Sequence, residues 1–181
     1  SLPSKNNRPA TEKQLAQRQK LALVSKFLKR ARAIIDQFYG SPEYQKARIN
    51  NATSYHIQES LLNEGGGFHI NYKRVLLTLG ELIGVQQATV SMGEGNGVLF
   101  SWADNSDYGQ AKPHDKMLAI VYEESSNSFE YSMQGLREDS SFLMPLPTEW
   151  SGKIVQCWIS FVSEKGTHWS TSWYLGELMV G

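Results

Sequence analysis

The stretch Lys153-Ile154-Val155-Gln156-Cys157-Trp158-Ile159-Ser160-Phe161-Val162-Ser163, Glu164-Lys165-Gly166-Thr167-His168, Trp169-Ser170-Thr171-Ser172-Trp173-Tyr174-Leu175 reads as two β-rich runs around a short polar turn. That is the pattern of a hairpin. In the first run Val155, Cys157, Ile159 and Phe161 share one parity and are all apolar, so that face lies on a core. Trp158 takes the opposite parity, and on the neighbouring strand Met117, Ala119 and Val121 are read as the same outer face. A sheet that is apolar front and back is not exposed on either side. The economical cover is the N-terminal helices of the same chain. The alternative is a partner, or a ligand stacked on Trp158.

Upstream of this hairpin the chain is read as β from Gln86 onward. Thr89–Met92, Val98–Trp102, Lys116–Tyr122, Ser128–Met133 and Ser140–Leu146 read as strands, with Asn96-Gly97 as a hairpin turn. The N-terminal third is helical. Thr11-Glu12-Lys13-Gln14 matches a capping box. From there Leu21, Val24, Leu28, Ala31, Ile35 and Phe38 recur at helical spacing, which predicts one helix ending at Gly40. A second helix is expected from Ser41-Pro42-Glu43 to about Leu62, with Tyr44, Ala47, Asn51 and Tyr55 on one face. Gly65-Gly66-Gly67 ends it, and Phe68, Ile70 and Tyr72 alternate as a short strand. Val75–Leu82 is left as strand or irregular connection. The expected fold is α+β: a helical hairpin over residues 1–63, a connecting segment over 64–85, and a seven-stranded antiparallel immunoglobulin- or fibronectin III-like sandwich over 86–181.

Composition narrows the function classes. The chain has 181 residues, 40% hydrophobic and 20% charged, with formal net charge +0. This suits a globular protein able to bury a sizeable core. It gives no basic stripe of the kind nucleic acid requires. The basic residues of the first helix (Lys13, Arg18, Lys20, Lys26, Lys29, Arg30, Arg32) are read as a solvated face rather than as a site for an acidic partner. No apolar run reaches the ~20 residues of a membrane span. The first residues, Ser1 to Arg8, do not form a signal peptide and include no initiating Met, which leaves a processed or truncated start, and export, open. The single cysteine, Cys157, excludes an intrachain disulfide and reads as a small buried hydrophobe.

No hydrolase, metalloprotease or P-loop motif is present, and His56, His69, His114 and His168 have no metal-ligand spacing. Gly93-x-Gly95-x-Gly97 lies between strands and is a turn, not a nucleotide loop. Asp104-Asn105-Ser106-Asp107-Tyr108-Gly109 is the best calcium candidate. It fails the EF-hand register, and Asx turns account for its composition as well. Asn51-Ala52-Thr53 fits a glycosylation sequon inside a predicted helix.

The runs Val98-x-Phe100-x-Trp102, Leu118-x-Ile120-x-Tyr122 and Val155-x-Cys157-x-Ile159-x-Phe161 resemble a fibronectin type III or related domain. That resemblance implies Trp102 and Tyr122 both pointing inward. The Tyr of the usual corner near Val155 is missing. The chain also resembles a family of uncharacterised bacterial proteins, a domain of unknown function. The resembling pieces are Arg8-Pro9-Ala10-Thr11-Glu12-x-Gln14-Leu15-Ala16-Gln17-Arg18, Phe100 to Ser106, Phe161-Val162-Ser163-x-x-Gly166, and Ser172-x-Tyr174-Leu175-Gly176-Glu177. The resemblance implies helices in front of a sandwich, and a Gly-rich segment ahead of Ser1-Leu2-Pro3 that this chain does not carry. It implies no activity.

With no catalytic constellation and no cofactor motif, the expectation is a non-enzymatic protein-binding or structural module of unassigned compartment. Carbohydrate binding through exposed aromatic residues is the alternative. Trp150, Trp158, Trp169 and Tyr108 are the candidate binding residues, with Trp150 and Trp169 the first to substitute. An enzyme with an unrecognised site would show instead a cleft of titratable groups with shifted pKa values.

Overall fold

Thr11 caps the first helix as its position predicts. Its hydroxyl accepts from Gln14 N (3.2 Å), and Gln14 Oε1 accepts from Thr11 N (3.0 Å). The computed structural model describes residues 1–3, 8–41, 43 and 47–181. Among these, the expected first helix is two: α1, Glu12–Arg30, and α2, Arg32–Phe38. Val24, Leu28, Ala31, Ile35 and Phe38 repeat every 3.5 residues, whereas a straight α-helix lags by about 20° per heptad. One tightened turn at Ala31, whose N–H donates to Leu28 O (3.0 Å), keeps Ile34, Ile35 and Phe38 turned toward the sheet. Gly40 ends α2 in the left-handed region (φ 84°).

The start expected at Pro42, and Tyr44 on the second helix's face, lie outside the described residues. The third helix, α3, spans Arg48–Glu59. It buries Arg48, Ala52 and His56, one residue out of step with the expected Ala47, Asn51 and Tyr55. Polar groups occupy this face because backbone partners receive most of their hydrogen bonds. His56 Nδ1 donates to Ala52 O (2.6 Å), and Nε2 accepts from Leu76 N (3.1 Å).

The helix expected to run to Leu62 stops at Ser60. Leu61–Glu64 (β1) and Gly67–Ile70 (β2) pair as a hairpin. Its turn is Gly65-Gly66, both at positive φ (59° and 80°), so the glycines turn the chain as well as breaking the helix. This hairpin straddles the expected boundary between residues 63 and 64.

Seven further strands follow: β3 (Thr89–Met92), β4 (Gly97–Ser101), β5 (Lys116–Glu123), β6 (Ser128–Leu136), β7 (Ser141–Pro145), β8 (Ile154–Val162) and β9 (Trp173–Met179). They form two antiparallel sheets, ordered β3-β4-β7 and β6-β5-β8-β9. The β3–β4 turn centres on Gly95-Asn96, both at positive φ (62° and 61°), one residue earlier than the Asn96-Gly97 reading. The second strand of the opening hairpin starts at Trp173 and runs to Met179, later than expected. Trp169 and Ser170 keep only an isolated bridge to β8, and Ser170 to Ser172 also bond the connecting segment.

The two sheets pack face to face. Val98, Phe100 and Met144 of the first meet Met117, Ala119, Val121, Val155, Cys157, Ile159 and Phe161 of the second. The helices cover the second sheet's other face. Val24, Phe27, Leu28, Ile34, Ile35 and Phe38 pack there with Leu118, Ile120, Tyr122 and Trp158. The four-stranded sheet is therefore apolar front and back, and sits in the middle of three layers.

One assignment inside that picture is reversed. Ile120 pairs with Trp158 and Val121 with Cys157, so Met117, Ala119 and Val121 lie between the sheets. Leu118, Ile120 and Tyr122 accompany Trp158 under the helices. Tyr122 thus points away from the inter-sheet core, its ring 5.0 Å from that of Phe27 on α1. Both parities of β5 are apolar, so only the pairing register decides which faces where.

Candidate functional site

The four expected binding residues do not converge. Trp158 is fully buried under the helices, with the Tyr174 ring 5.5 Å away. Trp150 is buried in the inter-sheet core. Trp169 is buried where the Phe38 ring and the Arg48 guanidinium meet its indole, at 5.7 and 5.1 Å. None of the three is an exposed platform, and substituting Trp150 or Trp169 would disturb packing before it tested sugar binding. Tyr108 is 71% exposed, on the loop between β4 and β5.

That loop is the expected calcium candidate. Asp104 Oδ1 accepts from Ser106 N (2.8 Å) in an Asx turn. Asn105 is turned inward: its Oδ1 accepts from Arg137 Nη1 (2.7 Å), and its Nδ2 donates to Gly84 O (2.7 Å). Arg137 is fully buried. It donates further to Asp115 Oδ2 (3.0 Å) and Ile83 O (2.7 Å), with its guanidinium 4.3 Å from the Phe161 ring centroid. Its carbonyl accepts from Trp102 Nε1 (2.8 Å). This arginine, which no local pattern marks, ties both sheets, the loop and the connecting segment together.

Trp173 is the accessible indole. It is 65% exposed, whereas the other four tryptophans are buried. It starts β9, the outermost strand of its sheet, opposite Ile159 in register and so on the inter-sheet face. Beside it the irregular segment 80–86 runs along the β8–β9 hairpin. Gly80 permits that approach, because a Cβ there would lie 2.0 Å from Trp169 O. Buried hydroxyls fasten the two segments. Ser172 Oγ accepts from Leu77 N (2.9 Å), Thr78 Oγ1 donates to Ser170 O (2.8 Å), and Thr171 Oγ1 accepts from Gly80 N (3.2 Å).

Between these segments lies a cavity of about 280 Å³. Ile83 and Val85 line one side, Thr171 and Trp173 the other, and Ile159 and Phe161 reach it from the core. It suits one apolar side chain or a single small ring. Its hydroxyls are committed: Thr171 to Gly80, and Ser170 Oγ to Phe161 N (2.8 Å). Cys157, the one thiol, is buried behind, and burial pushes its pKa up to about 12. It is held as an inert thiol.

Fold and site together define an α+β protein with three helices and antiparallel sheets among the described residues, and one accessible tryptophan beside a small cavity. The model of a family of unknown function, DUF6266, matches residues 2–176, and the chain belongs to that family. No curated protein matches it. Among the described residues no helix is long and apolar enough to cross a membrane.

Proposed function

We propose that this chain is a non-enzymatic protein-binding module on a fibronectin type III-like sandwich, gripping an apolar side chain of a partner protein beside Trp173. The sandwich reading is supported by the orders β3-β4-β7 and β6-β5-β8-β9 and by Trp102 packing inward just after β4. The binding reading rests on one observation: the exposed Trp173 indole stands at a cavity that reaches core residues. Covering the free part of an indole removes on the order of 150 Å² of apolar surface. At about 25 cal/mol per Å² that is roughly 4 kcal/mol before association costs, the range of an interface hot spot.

Strand addition is the weaker mode. Both outer strands of the four-stranded sheet carry register irregularities, at Met117/Ala119 opposite β6 and at Cys157/Trp158 opposite β9. Bulges blunt an edge against pairing. Carbohydrate is the second reading, favoured by the open Trp173 ring and opposed by hydroxyls already used within the chain.

The test immobilises the wild type and Trp173→Ser, shown equally folded by thermal melting. A protein captured by the first, absent from the second, and binding with the same dependence when purified carries the proposal. A glycan-array signal that depends on Trp173 would replace it with the carbohydrate reading. Partners retained in full by Trp173→Ser would end both.

A further inference from the structure

Two arginines in this protein are buried, and they are treated differently. Arg137 has a carboxylate, Asp115, and each of its nitrogens has a partner. Arg48, 3% exposed, hydrogen-bonds only neutral oxygens, with the Trp169 ring 5.1 Å away and the Asp36 charge acting on it without a direct bond. Its Nη1 donates to Asp36 O (2.8 Å) and Gln37 O (2.7 Å), its Nη2 weakly to Ser41 O (3.4 Å), and its Nε has no partner among the described residues. A buried guanidinium with no carboxylate bonded to it is unfavourable, and its orphan N–H adds to the cost. The carbonyls at the C-terminus of α2 offset part of this through their partial negative charge.

Arg48 also borders a cavity of about 840 Å³ between the end of α2 and the β8–β9 turn. Lys116, Lys165 and His168 face the same space. Of the carboxylates there, Asp36 is paired with Arg32 (3.1 Å), which leaves Glu164 against the cations. Phe38, Met133, Val162 and Trp169 give the rest of the wall an apolar part, next to Gln37 and Thr167. With basic and apolar side chains both in its lining, the cavity has the volume of a small-molecule site.

We infer that this cavity binds a small organic anion, its carboxylate or phosphate held by Lys116 and Lys165 in the field of the buried Arg48 charge and its apolar body against the edges of Phe38 and Trp169. The site is separate from the Trp173 surface and does not depend on the function proposed for it.

Indole and amide NMR shifts of the full chain, titrated with four probes, test this. Phenyl phosphate and phenylacetate should shift the Trp169 indole and the Thr167 and His168 amides; phenol, the neutral analogue, should not. The tighter of the two anions identifies the head group, and inorganic phosphate alone should bind more weakly than phenyl phosphate. Lys116→Ala and Lys165→Ala, with unchanged melting temperatures, should each weaken the anions by roughly threefold or more, the range of a partly screened charge pair. Equal shifts from phenol, no shift from either anion, or unchanged binding in both lysine variants would overturn the inference.

Discussion

Replacing Asp115 by asparagine would remove the carboxylate bonded to Arg137 while keeping the side chain's shape. The guanidinium would stay fully buried, with Asn105 and the Ile83 carbonyl still accepting from Nη1 and Nη2. Nε would face a neutral amide where it now meets a carboxylate at 3.0 Å. Burial already lowers the Arg137 pKa, and Asp115 is the main group opposing that shift. Stripping a buried charge of its partner costs about 3–5 kcal/mol. At about 2–4 °C per kcal/mol for a chain of this size, the melting temperature of Asp115→Asn should fall by roughly 6–20 °C. Urea unfolding followed by far-ultraviolet circular dichroism and by tryptophan emission gives the free energy directly. The double variant Arg137→Met/Asp115→Asn should lose less than the sum of the single losses, because the interaction is removed once. A loss below about 1 kcal/mol for Asp115→Asn, or strict additivity in the cycle, would refute the reasoning.

Three further outcomes are expected. Burial lowers the His56 pKa from 6.5 to about 4, so between those values the unfolded chain binds the extra proton. Stability from this group is complete above pH 6.5 and is lost as pH falls toward 4, by roughly 3 kcal/mol. Urea midpoints between pH 7 and pH 4 should flatten in His56→Gln, and an unchanged slope would acquit the histidine. Gly80→Ala should cost about 1–3 kcal/mol by forcing the connecting segment off Trp169 O, read as a lower melting temperature; wild-type stability would contradict the close approach. Trp158→Ala should cost about 3–5 kcal/mol by opening a cavity under the helices, and a loss below ~1 kcal/mol in the same urea assay would place that indole at the surface.

What could be read from the chain was what local rules decide. The Thr11 box, the stop at Gly40 and most strand positions follow from capping, backbone freedom and alternation. Even the three-layer arrangement was legible, because no sheet exposed on one side would be apolar at both Trp158 and Phe161. The face assignment of β5 was not, since Met117, Ala119 and Val121 are as apolar as Leu118 and Ile120, and a distant pairing partner chooses between them. The inner face of α3 was hidden for a related reason: Arg48 and His56 are polar by composition and are buried because carbonyls and an amide elsewhere receive them. Alternation gives the side of a sheet but not the depth beneath it. So Trp169 could not be told from Trp173, which stays in water at the start of an edge strand.

The hydroxyl seam between the connecting segment and the last hairpin also sets the order of events during synthesis. Leu77 N and Ser172 Oγ are 95 residues apart. At about 5–20 residues per second on the ribosome, that separation is a wait of about 5–20 s. For most of it Val24, Phe27, Ile34 and Ile35 have been made while Trp158, the centre of their seat on the sheet, has not. The closing hairpin is therefore the last part of that seat to be made, and until it emerges the apolar faces of the helices are incompletely covered.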